Sequence, residues 1–208
     1  AQPFSRRDGS RLVFDQHDLG PELVRAKHLP LTPLFVRVAR LIESQTYRSA
    51  DHVIATNESY KAIARSRGGI SERDITVVRS GPARGWADSF ERADWHRERQ
   101  YLIGYVGVMG RQEGIEYLID AVSILAGEYG LDVHLALVGS GPDRERLYQL
   151  AHDSGFGDRI EFHGRVSDSD LVSILADSDV CVNPDEVNEM NNLSTMNKIV
   201  EYMSLGRP

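Results

Sequence analysis

The sequence predicts an α/β protein of two Rossmann-like lobes, each a doubly wound parallel sheet and each incomplete within these 208 residues. Three observations carry this. Short apolar runs alternate with segments of helical period along the whole chain, the pattern of parallel strands joined by covering helices. A polar stretch broken by Gly and Pro, SGPARGWADSFERADWHRERQ at 80–100, divides the alternation in two. The charge divides with it: residues 1–100 carry 17 basic and 13 acidic side chains, residues 101–208 carry 7 and 18. The expected boundaries are a first lobe at 1–80, a linker at 81–100 and a second lobe at 101–208.

RLVFDQ (11–16) reads as a buried strand ending at His17 and Asp18. Leu34, Val38, Leu41, Ile42 and Tyr47 repeat with helical period and predict a helix over 34–50. HVIAT (52–56) is the next strand, and Asn57 is a cap for a helix at 58–67. Ser71 opens a short turn before the strand ITVV (75–78). In the second lobe, YLIGYVG (101–107) predicts a strand and IEYLIDAVSILAGEYG (115–130) a helix closed by Gly130. The strand VHLALVG (133–139) leads to Pro142, where a helix would start. IEFHG (160–164) is a strand, DLVSILADS a helix and DVCVNP (179–184) a strand. A polar loop at 185–194 precedes a helix at 195–206, with Gly206 as its stop. The chain starts and ends abruptly against this pattern, which is the expectation for a segment of a larger protein.

Composition narrows the function classes. Lys and Arg total 24 against 31 Asp and Glu, a net charge of −7, with no dense basic stripe of the kind that binds nucleic acid. No apolar stretch is long enough to span a membrane, and AQPFSRRDGS lacks a signal peptide's apolar core. The lone Cys181 excludes a disulfide framework or Cys-rich zinc site, so a cytoplasmic setting is expected. It sits in an apolar strand, as a core residue does. No HxxxH pair, GxSxG or GxxxxGK[ST] occurs.

In parallel α/β sheets, ligands sit beyond the carboxyl ends of the strands. Five turns there are of interest. His17 and Asp18 follow the first strand as the catalytic candidates: an imidazole there can hydrogen-bond a substrate hydroxyl or shuttle a proton, or else the two cap the next turn. GVMGRQEG (107–114) offers Gly107, Gly110 and Arg111 to a phosphate, or is a Gly-rich turn with a surface Arg. VGSGP (138–142) places Gly139 at a helix start, without the third Gly of a dinucleotide fingerprint. FHGRV (162–166), with Gly164 and Val166, reads by itself as a strand end. Last, an acidic, Asn-rich loop holding Glu189 runs into a helix capped by Ser194 or Thr195, whose free amides suit a diphosphate. Lys198 and Glu201 share a face of that helix. Either Glu201 faces inward to a ribose diol or the two form an exposed ion pair.

Taken in order, FDQHDLGPE, ExxxYRxADxVI (43–54) and VVRSGP resemble the later part of the first lobe of a GT-B glycosyltransferase. YVGVMGRQEGIEYLIDAV, LALVGSGPDRERL, IEFHGRV, ADSDVCVNP and NKIVEYMSLGRP resemble its nucleotide-sugar-binding lobe. The order and spacing are similar to glycosyltransferase family 4, and NEMNNLSTMNKIVEYM looks like bacterial N-acetyl-L-fucosamine transferases. The resemblance implies retaining sugar transfer from a nucleotide donor, UDP-linked by expectation, with no metal or cofactor and with the donor's own phosphate helping to deprotonate the acceptor. It implies that Glu201 binds the ribose, Gly164 to Val166 the base, and the 194–198 helix start the diphosphate, with His17 reaching the donor sugar from the other lobe.

Three departures stand out. Val108 and Glu113 occupy positions where the family pattern has Arg and Lys, with Arg111 a candidate replacement. Leu193 replaces the Glu usual eight residues before Glu201, and Glu189 is the candidate to take over its contact with sugar hydroxyls. The pattern also continues beyond both ends of the chain, so the piece alone is expected to fold or act poorly. The acceptor implied is a growing polysaccharide or lipid-linked saccharide. Arg25, Lys27, Arg37, Arg40 and Arg48 around the 34–50 helix suggest peripheral contact with the inner membrane face, or else a solvated face with an Arg40–Glu43 pair. The alternatives to a transferase are a GT-B epimerase of UDP-amino sugars and a non-catalytic doubly wound binding module.

Overall fold

The computed structural model describes residues 9–27, 30–86 and 99–208. The chain divides into two compact units, one of residues 1–80 with 187–195, the other of 81–186 with 196–208. Of the stretch read as a linker, 87–98 lies outside the described residues.

In the first unit, β1 (Val13–Gln16), β2 (His52–Ala55) and β3 (Ile75–Val77) lie parallel in that order, with Phe14 beside Val53 and Ile54 beside Thr76. The helices are α1 (Gly20–Ala26), α2 (Thr32–Ser49) and α3 (Glu58–Gly68). Asn57 caps α3, its Oδ1 accepting the Tyr60 amide at 2.8 Å. Leu19, Tyr47, Val53, Ala55, Tyr60 and Ile63 form the core, and Phe14 meets Tyr47 edge-on with ring centroids 5.6 Å apart.

Two features differ from expectation. Helix α1 forms in a stretch to which the sequence reading gives no element, with Leu19, Pro21 and Glu22 buried there. Helix α2 has the expected period but turns Leu34, Val38, Leu41 and Ile42 to solvent, burying Val36 and Tyr47. What α2 faces instead is partly ionic. The fully buried carboxylate of Glu22 takes a two-pronged bond from Arg67 at 2.7 and 3.0 Å, and Glu43 stands 3.6 Å from the same guanidinium. Glu43 therefore faces Arg67, and the Arg40–Glu43 pair is not formed.

In the second unit, β4 (Tyr101–Val106), β5 (Val133–Val138), β6 (Ile160–Gly164) and β7 (Val180–Cys181) form a parallel sheet of order β6-β5-β4-β7. Helices α4 (Ile115–Gly127) and α5 (Arg144–Asp153) cover one face through Ile115, Ile119, Val122 and Leu147, packed on Tyr105, Leu135 and Leu137. Helix α6 (Asp168–Asp177) covers the other, with Ile174 against Leu102, Ala136 and Val138. Strand β7 is shorter than DVCVNP predicted, although the Val182 amide still reaches the Gly104 carbonyl at 3.0 Å. The 185–194 stretch contains a short helix, α7 (Glu189–Leu193), which belongs to the first unit. The last helix, α8 (Asn197–Ser204), starts two residues later than expected.

Candidate functional site

The order β6-β5-β4-β7 reverses direction at β4, so the crevice beyond the carboxyl ends of β4 and β7 is the unit's topological switch point. Two loops meet there. Gly114 closes the loop after β4 with φ +64, and a β-carbon on it would run into the Pro184 carbonyl of the loop after β7. Tyr202 ties α8 to the same place: its hydroxyl accepts the Val106 amide at 3.1 Å and donates to the Val182 carbonyl at 3.4 Å.

Lys198, in the first turn of α8, points into this crevice. Its ammonium bonds Asp185 at 2.9 Å and Glu113 at 3.0 Å and lies 4.9 Å from the centre of the Tyr105 ring. The side chains are largely buried, Lys198 at 11 %, Asp185 at 6 % and Glu113 at 20 % exposure. Burial and then the charges of Glu113 and Asp185 hold the Tyr105 phenol far above its ordinary pKa, so it stays neutral. The Ile199 amide bonds the Met196 carbonyl, while those of Asn197 and Lys198 have no backbone partner among the described residues.

Glu201 follows one turn on. Its carboxylate is half-buried and has neither hydrogen bond nor ion pair among the described residues; Lys198 is engaged elsewhere, so the exposed i, i+3 pair does not form. Burial first, and the nearby charge of Asp168 second, raise its pKa above 4.5. A desolvated acceptor without an internal donor is suited to a hydroxylated ligand.

The Gly-rich turns are occupied differently from expectation. The Gly107 amide bonds Val138, that of Gly110 bonds Val108, and that of Gly139 bonds Gly164, at 3.0, 3.1 and 2.7 Å. The Gly107 and Gly139 donors join neighbouring segments, and the Gly110 donor closes a turn within its own loop. Gly139 has φ +124, and a β-carbon there would collide with the Gly107 carbonyl. Arg111 is 82 % exposed and stands 3.8 Å from Asp143. Gly164 has φ +69 at the end of β6, and Val166 packs on the Leu102–Ile174 cluster.

The remaining candidates lie in the first unit. His17 is exposed just beyond β1, 3.0 Å from Asp15, and Asp18 is exposed beside it. Glu189 bonds Arg25 at 2.6 Å. Ser194 and Thr195 do not cap α8, whose N-cap is Met196. Instead the Ser194 hydroxyl meets that of Tyr60 at 2.9 Å, and Asn57 donates to the Leu193 carbonyl at 2.9 Å and to Thr195 at 3.3 Å. The roles of Glu113, Asp185, Tyr60 and Asn57 in holding these residues carried no sequence signal, since the partners are 13 to 138 positions apart.

A parallel α/β unit with ligand-binding groups at its switch point describes many nucleotide-binding proteins, and comparison narrows the class. Residues 100–208 match the family described as glycosyl transferases group 1, and the chain belongs to that family. It is 26% identical over 175 residues to a 2-deoxystreptamine glucosyltransferase of Streptomyces kanamyceticus, covering 80% of this chain and 44% of the relative. Among solved structures it resembles Anabaena Alr3699/HepE in complex with UDP, with TM-score 0.67 and 22% identity over 98% of this chain and 54% of that one. It also resembles the sucrose-phosphate synthase of Thermosynechococcus elongatus, with TM-score 0.73 and 21% identity over 99% of this chain and 51% of that one. At these identities the structures establish the fold, that of GT-B glycosyltransferases. The chain spans about half the length of these proteins or less.

Proposed function

We propose that this chain forms the donor-binding part, and some of the acceptor-side lobe, of a family 4 glycosyltransferase that moves a sugar from a UDP-linked donor to a saccharide or lipid-linked acceptor with retention at the anomeric carbon. The observation that carries it is Glu201: a half-buried carboxylate without an internal donor among the described residues, one turn behind the amides of Asn197 and Lys198, which have no backbone partner among those residues, on a helix pinned to the switch point by Tyr202. A ribose diol supplies the two donors this carboxylate lacks, and the diphosphate suits the amides and ammonium at the helix start. Gly164 to Val166, beyond β6, take the base. Glu189 approaches the sugar hydroxyls and His17 acts on the sugar rather than on the nucleotide. The donor's phosphate receives the acceptor's proton, so no resident metal or cofactor enters this reading and turnover should survive a chelator. The amino-sugar donor suggested by the 188–203 stretch is part of the same proposal.

For the acceptor we propose a lipid-linked saccharide met at the inner membrane face. Leu31, Leu34, Phe35, Val38, Leu41 and Ile42 make an exposed apolar stripe on and just before α2, and Arg37 and Arg40 lie among them without an ion partner among the described residues. An apolar stripe beside arginines suits an anionic lipid surface. No helix among the described residues is long and apolar enough to cross a membrane.

The test is to incubate the full-length protein with UDP-sugar, with and without acceptor. Transfer that needs acceptor and leaves the anomeric configuration unchanged by NMR is expected. Conversion of the UDP-sugar without acceptor would mark an epimerase, and no turnover with any acceptor would favour a binding module.

A further inference from the structure

We propose that Glu113 is a built-in competitor for Lys198, an affinity-setting residue that weakens the hold of this site on the phosphates of its donor. The inference rests on the donor reading given above. It begins from a charge count at the crevice: one ammonium, Lys198, sits between two carboxylates at 2.9 and 3.0 Å, so the cluster carries a net −1 where an anionic ligand would be held. An ammonium has three N–H donors. Two are spent on Asp185 and Glu113, and the Tyr105 ring lies against the same group. A phosphate that takes the third donor approaches two negative charges in a largely buried place, where screening is weak. For Lys198 to serve the phosphate fully, one carboxylate must give way.

The structure distinguishes the two. Asp185 is almost completely buried and short, and it sits directly after Pro184 at the tight contact with Gly114. Glu113 is more exposed, has one more rotatable bond, and ends the single helical turn at 111–113 between Gly110 and Gly114. Its carboxylate is already shared: besides Lys198 it accepts from the Tyr105 hydroxyl at 3.4 Å and the Gln112 amide at 3.5 Å, so it is not left without donors when Lys198 turns to a phosphate. Asp185 thus orients Lys198, while Glu113 occupies the ammonium until the phosphate displaces it. Exchange of one anion for another costs donor affinity and lets the spent nucleotide leave as Glu113 returns.

The test is calorimetry of UDP and of uridine with full-length wild-type, Glu113→Gln, Glu113→Ser and Glu201→Gln proteins, each checked by thermal unfolding. Both Glu113 variants should bind UDP at least fivefold more tightly, with slower release, and bind uridine as the wild type does. Adding Lys198→Gln should remove most of that gain. Unchanged or weaker UDP binding in both folded Glu113 variants would overturn the inference. If Glu201→Gln still loses UDP in that case, the donor reading stands and only the role of Glu113 falls. If no variant and no wild type binds UDP, both fall together.

Discussion

Exchanging Glu201 for Gln removes a charge from a carboxylate that bonds nothing else among the described residues. Its effect on ligand binding should therefore be clean. Two ribose hydroxyls donated to one carboxylate are worth about 1.5–3 kcal/mol as charge-assisted bonds, and each 1.4 kcal/mol is about tenfold in affinity. A UDP dissociation constant raised roughly ten- to hundredfold is expected. Folding should not suffer. Because burial and Asp168 raise the folded-state pKa above 4.5, ionised Glu201 weighs against the folded state; its contribution is most favourable at low pH and is lost as pH rises through the raised value. At neutral pH the variant should unfold at the same temperature or slightly higher. The same shift predicts that wild-type affinity for UDP declines on acidification from a pH above the ordinary glutamate value, a step the variant lacks. Calorimetry across pH, with unfolding curves beside it, makes the comparison. Wild-type affinity in the variant would refute the reasoning and return Glu201 to an ordinary surface role.

Further consequences are open to experiment. Gly139→Ala places a β-carbon against the Gly107 carbonyl at φ +124, and should cost at least about 2–3 kcal/mol in urea unfolding; a loss below about 0.5 kcal/mol would show that the loop yields. His17 is exposed and, among the described residues, bonded only to Asp15, so His17→Ala should leave stability intact and lower kcat well over tenfold with little change in UDP affinity. Wild-type kcat would remove its role. Vesicle co-sedimentation should show binding to anionic but not neutral vesicles that weakens with salt and is lost in Leu41→Glu with Ile42→Glu; equal binding to both vesicles would remove the electrostatic argument.

Much of the fold is legible in the sequence, because parallel strands buried on both faces read as apolar runs and the helices between them show a 3.6-residue period. The elements from Tyr101 to Asp177 follow that logic, and Asn57 caps α3 as expected. Helix α1 has only seven residues and no apolar period to announce it; burial of Leu19 and of Glu22 against Arg67 holds it in place. In α2 the period is legible and the buried face is not: of the five residues in the periodic set Tyr47 is buried and the other four face solvent, while Val36, outside the set, packs inward. The site divides the same way. Its location follows from strand order, and Glu201 from its spacing within the helix. That Lys198 does not pair with Glu201 needed Lys198 to be seen bonded to Glu113, 85 positions away. The amides of Gly107, Gly110 and Gly139 looked free because a sequence shows a glycine but not the carbonyl its N–H has already found.

Hydrogen exchange of the full-length protein with and without UDP tests the central claim most directly. Protection on binding should concentrate in 107–114, 164–166 and 197–201, around Lys198 and Glu201, and GDP at the same concentration should give less. Protection confined to other segments, or none with UDP at saturating concentration, would contradict a nucleotide-sugar site at the β4–β7 switch point.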